Sequence, residues 1–356
     1  MADFVIPLES ALLMRDRGAL LVDARSPSEH ADATIPGALN VPILDDAERV
    51  EIGTLYKQEG KQAARRRGVE IVAPKIPALI DRIANARPLG SPPVVVFCWR
   101  GGMRSRALTQ FLELAGIPAR QLAGGHKAFR GLVRDFFEQG EWGRLIVLRG
   151  LTGVGKTALL QELAAVGHPV VDLEGLANHR GSAFGHLGLA PQPTQRMFEA
   201  LLWDALRRIP ADGYAVAEGE SRHIGRLALP LRVYQSLQAE MSLWIEASLE
   251  IRVRNILADY PARDGLREEF ARPVRALKER LGKQVVEELV GLLQKGDWEE
   301  LVRRLMIDYY DPLYRHTLPE RRIEVTIGGD SSGLDRLQAA IGEVLTAPAR
   351  HGTDDQ

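Results

Sequence analysis

The sequence predicts an α/β protein with two domains, each built on a parallel sheet. Its 356 residues exceed the usual size of a single hydrophobic core. Two short apolar runs, Val94–Phe97 and Leu145–Leu148, each lead into a glycine-rich turn and then into a helix-forming segment. This order of strand, turn and helix is typical of parallel sheets, which bind ligands at the carboxyl ends of their strands.

The domain boundaries follow from these two runs. The first domain is placed at residues 1–135 and the second, an α/β domain, at residues 144–345 with a helical region at about 266–318. Residues 346–356 are mostly polar and are expected to form a disordered tail.

The composition is that of a soluble globular protein, with 45% hydrophobic and 26% charged residues. A formal net charge of −1 argues against nonspecific coating of nucleic acid, although it allows a local basic face. One cysteine excludes an internal disulfide, and no signal peptide or membrane-length apolar run is seen. We therefore expect a cytoplasmic protein without membrane association, and the oligomeric state stays open.

The first candidate site surrounds Cys98, which follows the apolar strand directly. Gly101 and Gly102 allow the chain to curl, and a helix is predicted to open at Ser105. Such a loop, with positive charge nearby, is expected to keep the thiol largely as thiolate and to bind an oxyanion. An inert buried cysteine is the alternative, but it would need neither glycines nor arginines. The candidate catalytic residues are Cys98, Arg100 and Arg104.

The rest of the first domain supplies structure more than chemistry. Asp23 and Arg25 end a predicted strand at Leu20–Arg25 and are expected to orient a loop, with no catalytic role. A helix-forming stretch, Glu48–Gly68, contains the basic cluster Arg65–Arg67, which is either a solvated face or a nucleic-acid contact.

The second candidate site is Gly150–Thr157, which matches G-x-x-x-x-G-K-T between a strand and the helix Ala158–Ala165. The glycines let backbone N–H groups close around phosphate oxygens, while the lysine adds a point charge and the threonine is a candidate Mg²⁺ ligand. The phosphate-binding candidates are Gly150, Gly153, Gly155, Lys156 and Thr157. No guanine-specifying Asn-Lys-x-Asp sequence is present, so this P-loop could hold a phosphate other than a nucleotide.

Other polar residues follow the strands of this second domain. The loop 177–185 is polar and glycine-rich, and Tyr214–Glu218 reads as a strand that ends in a carboxylate. A carboxylate there is either a magnesium-side acid or base, or a structural partner of Arg222. The candidate substrate-loop residues are His179, Arg180, Ser182, Glu218, Glu220 and Arg222. In the helical region, cationic residues are interleaved with aromatic residues. This pattern fits a solvent-exposed face over an apolar core, and it also fits RNA binding.

Several segments resemble known families. Asp23–Glu29, Ile35–Pro42 and Gln121–Phe129 resemble rhodanese domains, in which Cys98 falls at the sulfur-carrying position. A rhodanese-like domain fused to a P-loop domain that contains Asn178–Gly185 and 218–222 closely resembles the tRNA 2-selenouridine synthase family. The resemblance covers 5–343.

This resemblance implies a two-step reaction on wobble 2-thiouridine of tRNA. Geranyl diphosphate alkylates the sulfur, and selenium from selenophosphate then replaces it. The P-loop would hold the diphosphate, and the Cys98 loop would bind selenophosphate, with Arg100 and Arg104 neutralising its phosphate. Cys98 would carry selenium as a sulfur-bound species or only position selenide. No tightly bound cofactor is expected, and Mg²⁺ is compatible with the P-loop.

Two other functions compete with this one. Cys98 and Arg104 have the spacing of Cys-x5-Arg phosphatases, and a fused P-loop kinase would make a bifunctional phosphotransfer enzyme. A non-catalytic RNA-binding sensor would use the thiol and the P-loop as switches. Neither explains the pairing of these two modules. Which tRNAs are used stays open.

Overall fold

A computed structural model describes residues 4–219, 221–260, 263–314, 319–328 and 332–346. They fall into two compact units that divide the chain after Gln139, with the short piece Glu199–Leu201 grouped with the first. Glu220, the proposed tail beyond Thr346 and the end of the predicted helical region, 315–318, lie outside the described residues.

The first unit is a five-stranded sheet with helices. Its strands are β1 (Val5–Ile6), β2 (Leu21–Asp23), β3 (Leu39–Asn40), β4 (Val94–Phe97) and β5 (Ala119–Leu122). Its helices are α1 (Leu8–Asp16), α2 (Pro27–Asp32), α3 (Asp46–Gln58), α4 (Lys61–Val72), α5 (Ile76–Ala86), α6 (Met103–Leu114) and α7 (Gly125–Gln139), with a 3₁₀ turn at Ala73–Lys75. The strand order is β1-β5-β4-β2-β3, and every pairing is parallel.

The central strand β4 is buried along its whole length, as its unbroken apolar run predicts. Val96 pairs with Val22 of β2 and with Gln121 of β5, so the polar ends of these strands meet at one edge of the sheet. Two boundaries differ from the sequence analysis. The helix predicted at Glu48–Gly68 breaks into α3 and α4 at Gly60, whose φ of 90° suits glycine, and α6 begins at Met103 rather than Ser105.

The second unit is also a parallel α/β structure. Its strands are β6 (Arg144–Gly150), β7 (Val170–Val171), β8 (Tyr214–Glu218), β9 (His223–Ile224), β10 (Leu227–Ala228), β11 (Ser242–Glu246) and β12 (Arg322–Thr326). Five of them form the sheet β12-β11-β6-β8-β7, in which all pairings are parallel, and β9 and β10 form an antiparallel hairpin.

The helices of the second unit fall into those that accompany the sheet and those of a helical extension. The first group is α8 (Lys156–Ala165), α9 (Leu173–Ala177), α10 (Gln195–Leu206), α11 (Leu231–Ala239), α12 (Leu249–Asp259) and α18 (Ser332–Thr346). The extension contains α13 (Arg267–Ala276), α14 (Lys278–Leu281), α15 (Lys283–Lys295), α16 (Trp298–Leu305) and α17 (Asp311–Tyr314), with a 3₁₀ turn at Arg263–Leu266 and a π-helical turn at Met306–Tyr310.

Two separate apolar cores stabilise this unit. One lies between the sheet and helices α8 and α18, and includes Ile146, Leu163 and Leu337. The other lies inside the helical extension, where Phe270 and Leu289 belong to a set of apolar and aromatic side chains. The apolar faces of the helices in this extension are therefore largely buried against one another. Among the described residues, no helix is long and apolar enough to cross a membrane.

Candidate active sites

The cysteine loop joins β4 to α6, and the sulfur of Cys98 lies inside it. The Cys98 side chain is buried, the backbone N–H of Gly102 donates to its Sγ at 3.2 Å, and Ser105 Oγ lies 3.2 Å from the same sulfur. These contacts place one backbone donor and one hydroxyl on the sulfur. Such donors stabilise negative charge, so the geometry suits a nucleophilic or anion-handling sulfur.

The backbone of this loop packs directly on the start of α7. A Cβ at Gly125, where φ is +56°, would lie 2.2 Å from Cys98 O and 2.6 Å from Gly101 N. The N–H of His126 donates to Cys98 O at 2.8 Å. Only glycine allows this approach, so the turn before α7 fixes the shape of the cysteine loop.

Gln121 holds the other side of the loop. Its side chain is buried at the end of β5, and its Nε2 donates to Gly101 O at 2.7 Å and to Ser105 Oγ at 3.0 Å. Sequence analysis did not assign this residue a role. The available signal was a polar residue at an inward position of a buried strand, where a hydrogen-bond partner is required.

Of the two candidate arginines, one is paired and the other is exposed. Arg104 Nη1 lies 2.5 Å from Glu29 Oε2, and both side chains are mostly buried. Burial disfavours the charge on Arg104, but the hydrogen bond to Glu29 and the nearby Cys98 outweigh it and raise the pKa of Arg104. Arg100 is exposed. The loop thus holds one arginine already compensated by a carboxylate and one turned toward solvent.

Glu29 is a second residue that sequence analysis missed. Burial would raise the pKa of its carboxyl, but hydrogen bonds and charges from Arg104, Ser26 and Arg49 together hold that pKa below its ordinary value of 4.5. It is therefore a carboxylate at neutral pH. An anion at this loop would compete with Glu29 for Arg104.

Asp23 and Arg25 have the structural role expected of them. Both are buried, with Arg25 Nη2 at 2.6 Å from Asp23 Oδ2. Arg25 also donates to Ala33 O at 2.6 Å, and Thr34 Oγ1 donates to Asp23 at 2.8 Å. These bonds tie the end of β2 to the segment that follows α2.

The phosphate loop joins β6 to α8 and adopts the glycine conformations that the motif requires. Gly153 and Gly155 have φ values of +83° and +88°, and Gly155 precedes the first residue of α8, Lys156. The amino end of α8 and the backbone of the loop therefore face the same space, which is the arrangement that binds phosphate oxygens. Lys156 is partly exposed there.

Helix α12 braces this loop through two side-chain hydrogen bonds. Arg252 Nε donates to Thr152 O at 2.8 Å, and Asn255 Nδ2 donates to Gly153 O at 2.9 Å. Arg252 is itself buried and paired with Asp311, with Nη2 2.5 Å from Oδ1. Sequence analysis missed all three residues. This brace holds the carbonyls of Thr152 and Gly153 toward α12.

Two carboxylates of this unit, Glu174 and Glu218, have different partners. Thr157 Oγ1 donates to Glu174 Oε2 at 3.3 Å, so the candidate Mg²⁺ ligand has an acidic neighbour on α9. Glu218 is fully buried at the end of β8, where its Oε2 accepts the N–H of Leu173 at 2.8 Å. Arg222 is exposed. Glu218 thus has a structural bond, and its proposed role toward a metal or proton stays a prediction.

The candidate substrate loop lies beside the phosphate loop and encloses a buried histidine. His179 packs between two glycines: a Cβ at Gly185 or Gly225 would lie 2.8 or 2.9 Å from its ring. Its Nδ1 has no hydrogen-bond partner in the part of the chain that the structure describes. Burial, together with the charges of His186 and Arg180, lowers the pKa of His179. The ring is therefore neutral at pH 7.

Arg180 and Ser182 lie on the same loop. The Arg180 guanidinium stacks 4.5 Å from the centre of the Tyr260 ring and donates to Leu187 O at 2.8 Å. Asp259 lies within electrostatic range of both Arg180 and Lys156, so these two cations belong to one charged cluster. Ser182 Oγ accepts the N–H of Phe184 at 3.3 Å.

Family models and known relatives match both units of the chain. Residues 143–340 match the model of the tRNA 2-selenouridine synthase AAA domain, and residues 8–132 match the rhodanese-like domain. The chain is 37% identical to the tRNA 2-selenouridine synthase of Cupriavidus necator, over 90% of this chain and 95% of that one. It is 34% identical to the enzyme of the same name from Ectopseudomonas mendocina, over 95% and 97% of the two chains.

The chain belongs to the tRNA 2-selenouridine synthase family. This confirms the fold class expected from the sequence, a rhodanese-like domain followed by a P-loop domain of parallel strands. It also confirms the assignment of the chain to the tRNA-modifying transferases. Within this family, the roles of individual residues in both loops stay predictions.

Proposed function

We propose that this chain converts 2-thiouridine in tRNA to 2-selenouridine in two steps, with geranyl diphosphate and selenophosphate as co-substrates. The observation that carries the proposal is that one chain of this family holds two anion-binding loops, of which only the loop around Cys98 carries a thiol. The alkylation is assigned to the P-loop, and the selenation to the cysteine loop. A tRNA substrate implies that the protein works in the cytoplasm.

The first step needs a diphosphate to leave from an allylic carbon. The thiouridine sulfur attacks that carbon, a C–S bond forms, and the C–O electron pair departs with the diphosphate while the base loses its N3 proton. Backbone N–H groups of the P-loop and Lys156 stabilise the charge that builds on the leaving group. The neighbouring Arg180 adds a second cation. Nucleotide hydrolysis is not required.

The second step replaces the alkylated sulfur by selenium. Selenium adds to C2 of the base with its electron pair, and the geranyl thiolate leaves. The selenium of selenophosphate is already reduced, so the step needs no redox partner, and the phosphoryl group ends on water as phosphate. The cysteine loop holds the phosphoryl group near Arg104 and the Gly102 N–H.

Electron balance separates two roles for Cys98. Attack of its thiolate on phosphorus would form a cysteine thiophosphate and release selenide, with no change in oxidation state. Attack on selenium would form a sulfur–selenium bond but leave phosphorus at the level of phosphite. We assign the first route. Intact mass spectrometry of protein treated with selenophosphate should show a phosphoryl adduct that Cys98→Ala lacks, while phosphite in the medium would contradict it.

The function is tested by nucleoside mass spectrometry of 2-thiouridine-containing tRNA incubated with the purified protein. Geranyl diphosphate alone should give geranylated thiouridine, and addition of selenophosphate should give selenouridine. Unmodified thiouridine in both reactions, from folded protein that binds the tRNA, would refute the proposal. Hydrolysis of a generic aryl phosphate would then favour a Cys-x5-Arg phosphatase.

Two variants test the division between the loops. Cys98→Ser should abolish selenation and spare geranylation, because the serine hydroxyl is a far weaker nucleophile at neutral pH. Lys156→Ala should lower geranyl transfer by about 100-fold, the usual effect of removing one such stabilising group, while pre-geranylated tRNA is still selenated. Equal loss of both steps in either variant would contradict this division.

A further inference from the structure

We propose that the geranyl chain lies in an apolar cavity of the helical extension, directly beside the phosphate loop. This inference rests on the proposed function, because it names where the prenyl part of that co-substrate binds. The occupant is a branched hydrocarbon chain attached to a diphosphate.

The cavity lies between α12, α13 and α16. The cavity has a volume of about 60 Å³ and is partly open to solvent. Its walls are apolar and aromatic, and include Ile256, Phe270, Leu301 and Val302. This apolar lining suits a hydrocarbon chain, and the partial opening allows a chain longer than the cavity itself.

This cavity borders the two loops already described. Thr152 of the P-loop and Ser182 of the substrate loop both line it. The P-loop backbone also packs on the cavity wall, since a Cβ at Gly153 would lie 2.8 Å from Met306 Cε and 3.1 Å from Ile256 Cγ1. A diphosphate on the P-loop thus has its organic substituent at the entrance of an apolar space.

The wall against which the P-loop packs contains an unusual helical turn. Met306 and Tyr310 line the cavity, and both belong to the π-helical turn Met306–Tyr310. Such turns are rare and frequently occur at functional sites. The aromatic rings of Phe270 and Trp298 also line the cavity, and aromatic faces favour positive charge. They fit an allylic group that becomes electron-poor as its diphosphate leaves, and they exclude water from it.

The test compares a filled cavity with a matched control. Val302→Phe places a ring in the cavity, and Val290→Phe makes the same change at a partly buried position of α15 that does not line it. Calorimetry gives the affinities for geranyl diphosphate and for inorganic diphosphate. Val302→Phe should lower the ratio of the two affinities by at least about ten-fold, as expected when roughly two methylene groups lose their burial. Val290→Phe should leave it unchanged.

A second variant keeps the test valid if the larger residue disturbs folding. Val302→Ala widens the cavity, so farnesyl diphosphate, one isoprene unit longer, should gain affinity relative to geranyl diphosphate. An unchanged ratio in both Val302 variants, or wild-type affinity for geranyl diphosphate no greater than for inorganic diphosphate, would overturn the inference.

Failure of this inference can be distinguished from failure of the proposed function. Geranylation of thiouridine-containing tRNA is measured on the same proteins. If the wild type transfers the geranyl group to tRNA and Val302→Phe transfers it equally well, the cavity is refuted and the proposed function stands. Tight, Val302-dependent binding of geranyl diphosphate without transfer to tRNA would refute the function and keep the cavity.

Discussion

Replacement of Gly125 by alanine should disable the cysteine loop while leaving the P-loop intact. The new Cβ would lie 2.2 Å from Cys98 O, whereas an ordinary contact needs at least 3.4 Å. Either the turn or the loop must therefore move by about 1 Å, and a misplacement of that size costs about 100-fold in rate. The left-handed φ of +56° adds about 1–2 kcal/mol of strain.

The matched control is Gly131→Ala on the same helix. Nothing lies within 4 Å of a Cβ at Gly131, and alanine is the better helix former by about 1 kcal/mol, so this variant should be as active as wild type and slightly more stable. Thermal unfolding and both tRNA reactions are measured for the two variants. If Gly125→Ala selenates geranylated tRNA at the wild-type rate, close packing of the turn does not fix the cysteine loop.

Two further predictions concern the residues that support the loops. Arg252→Ala should lower the free energy of unfolding by roughly 3 kcal/mol and raise KM for geranyl diphosphate, because Asp311 loses its partner and Thr152 O its donor. The exposed Arg254→Ala on the same helix should change neither quantity, and equal effects in the two would contradict the brace. The folded-state pKa of Glu29 lies below 4.5, so its contribution to stability is present above that pH and is lost as pH falls through the folded pKa. Denaturant titrations at about pH 6 and about pH 3.5 should show that Glu29→Gln is destabilised relative to wild type more strongly at the higher pH, and a constant difference would argue against this ion pair.

Local patterns predicted those elements whose ends are marked in the sequence. β4 has the predicted bounds, Val94–Phe97, and α5 at Ile76–Ala86 is a helix of the same clearly marked kind. The strand is an apolar run between prolines and glycines, and the helix has a strong apolar face that begins at a proline. The stretch that became α3 and α4 lacked such marks except Gly60, whose role as a break depends on the space that its neighbours leave.

The motifs predicted two loops as candidate anion sites, but they did not predict what holds those loops in place. Cys98 and Lys156 can be recognised because their neighbours in sequence supply the glycines and the helix start. Glu29 lies 75 residues from Arg104, and Asp311 lies 59 residues from Arg252. No local pattern joins residues so far apart, since the pairing exists only once the sheets have formed.

The cavity is another feature that local sequence patterns do not predict. Helical periodicity marks Leu301 and Leu305 as buried, and the structure agrees, but periodicity reports only that a face is covered and not how completely it is filled. Space remains between α12 and α16, and the residues that line it include Met306 and Tyr310 of the π-helical turn. A ligand site made of incomplete packing is therefore a property of three-dimensional structure, and its chemistry follows from the phosphate loop at its mouth.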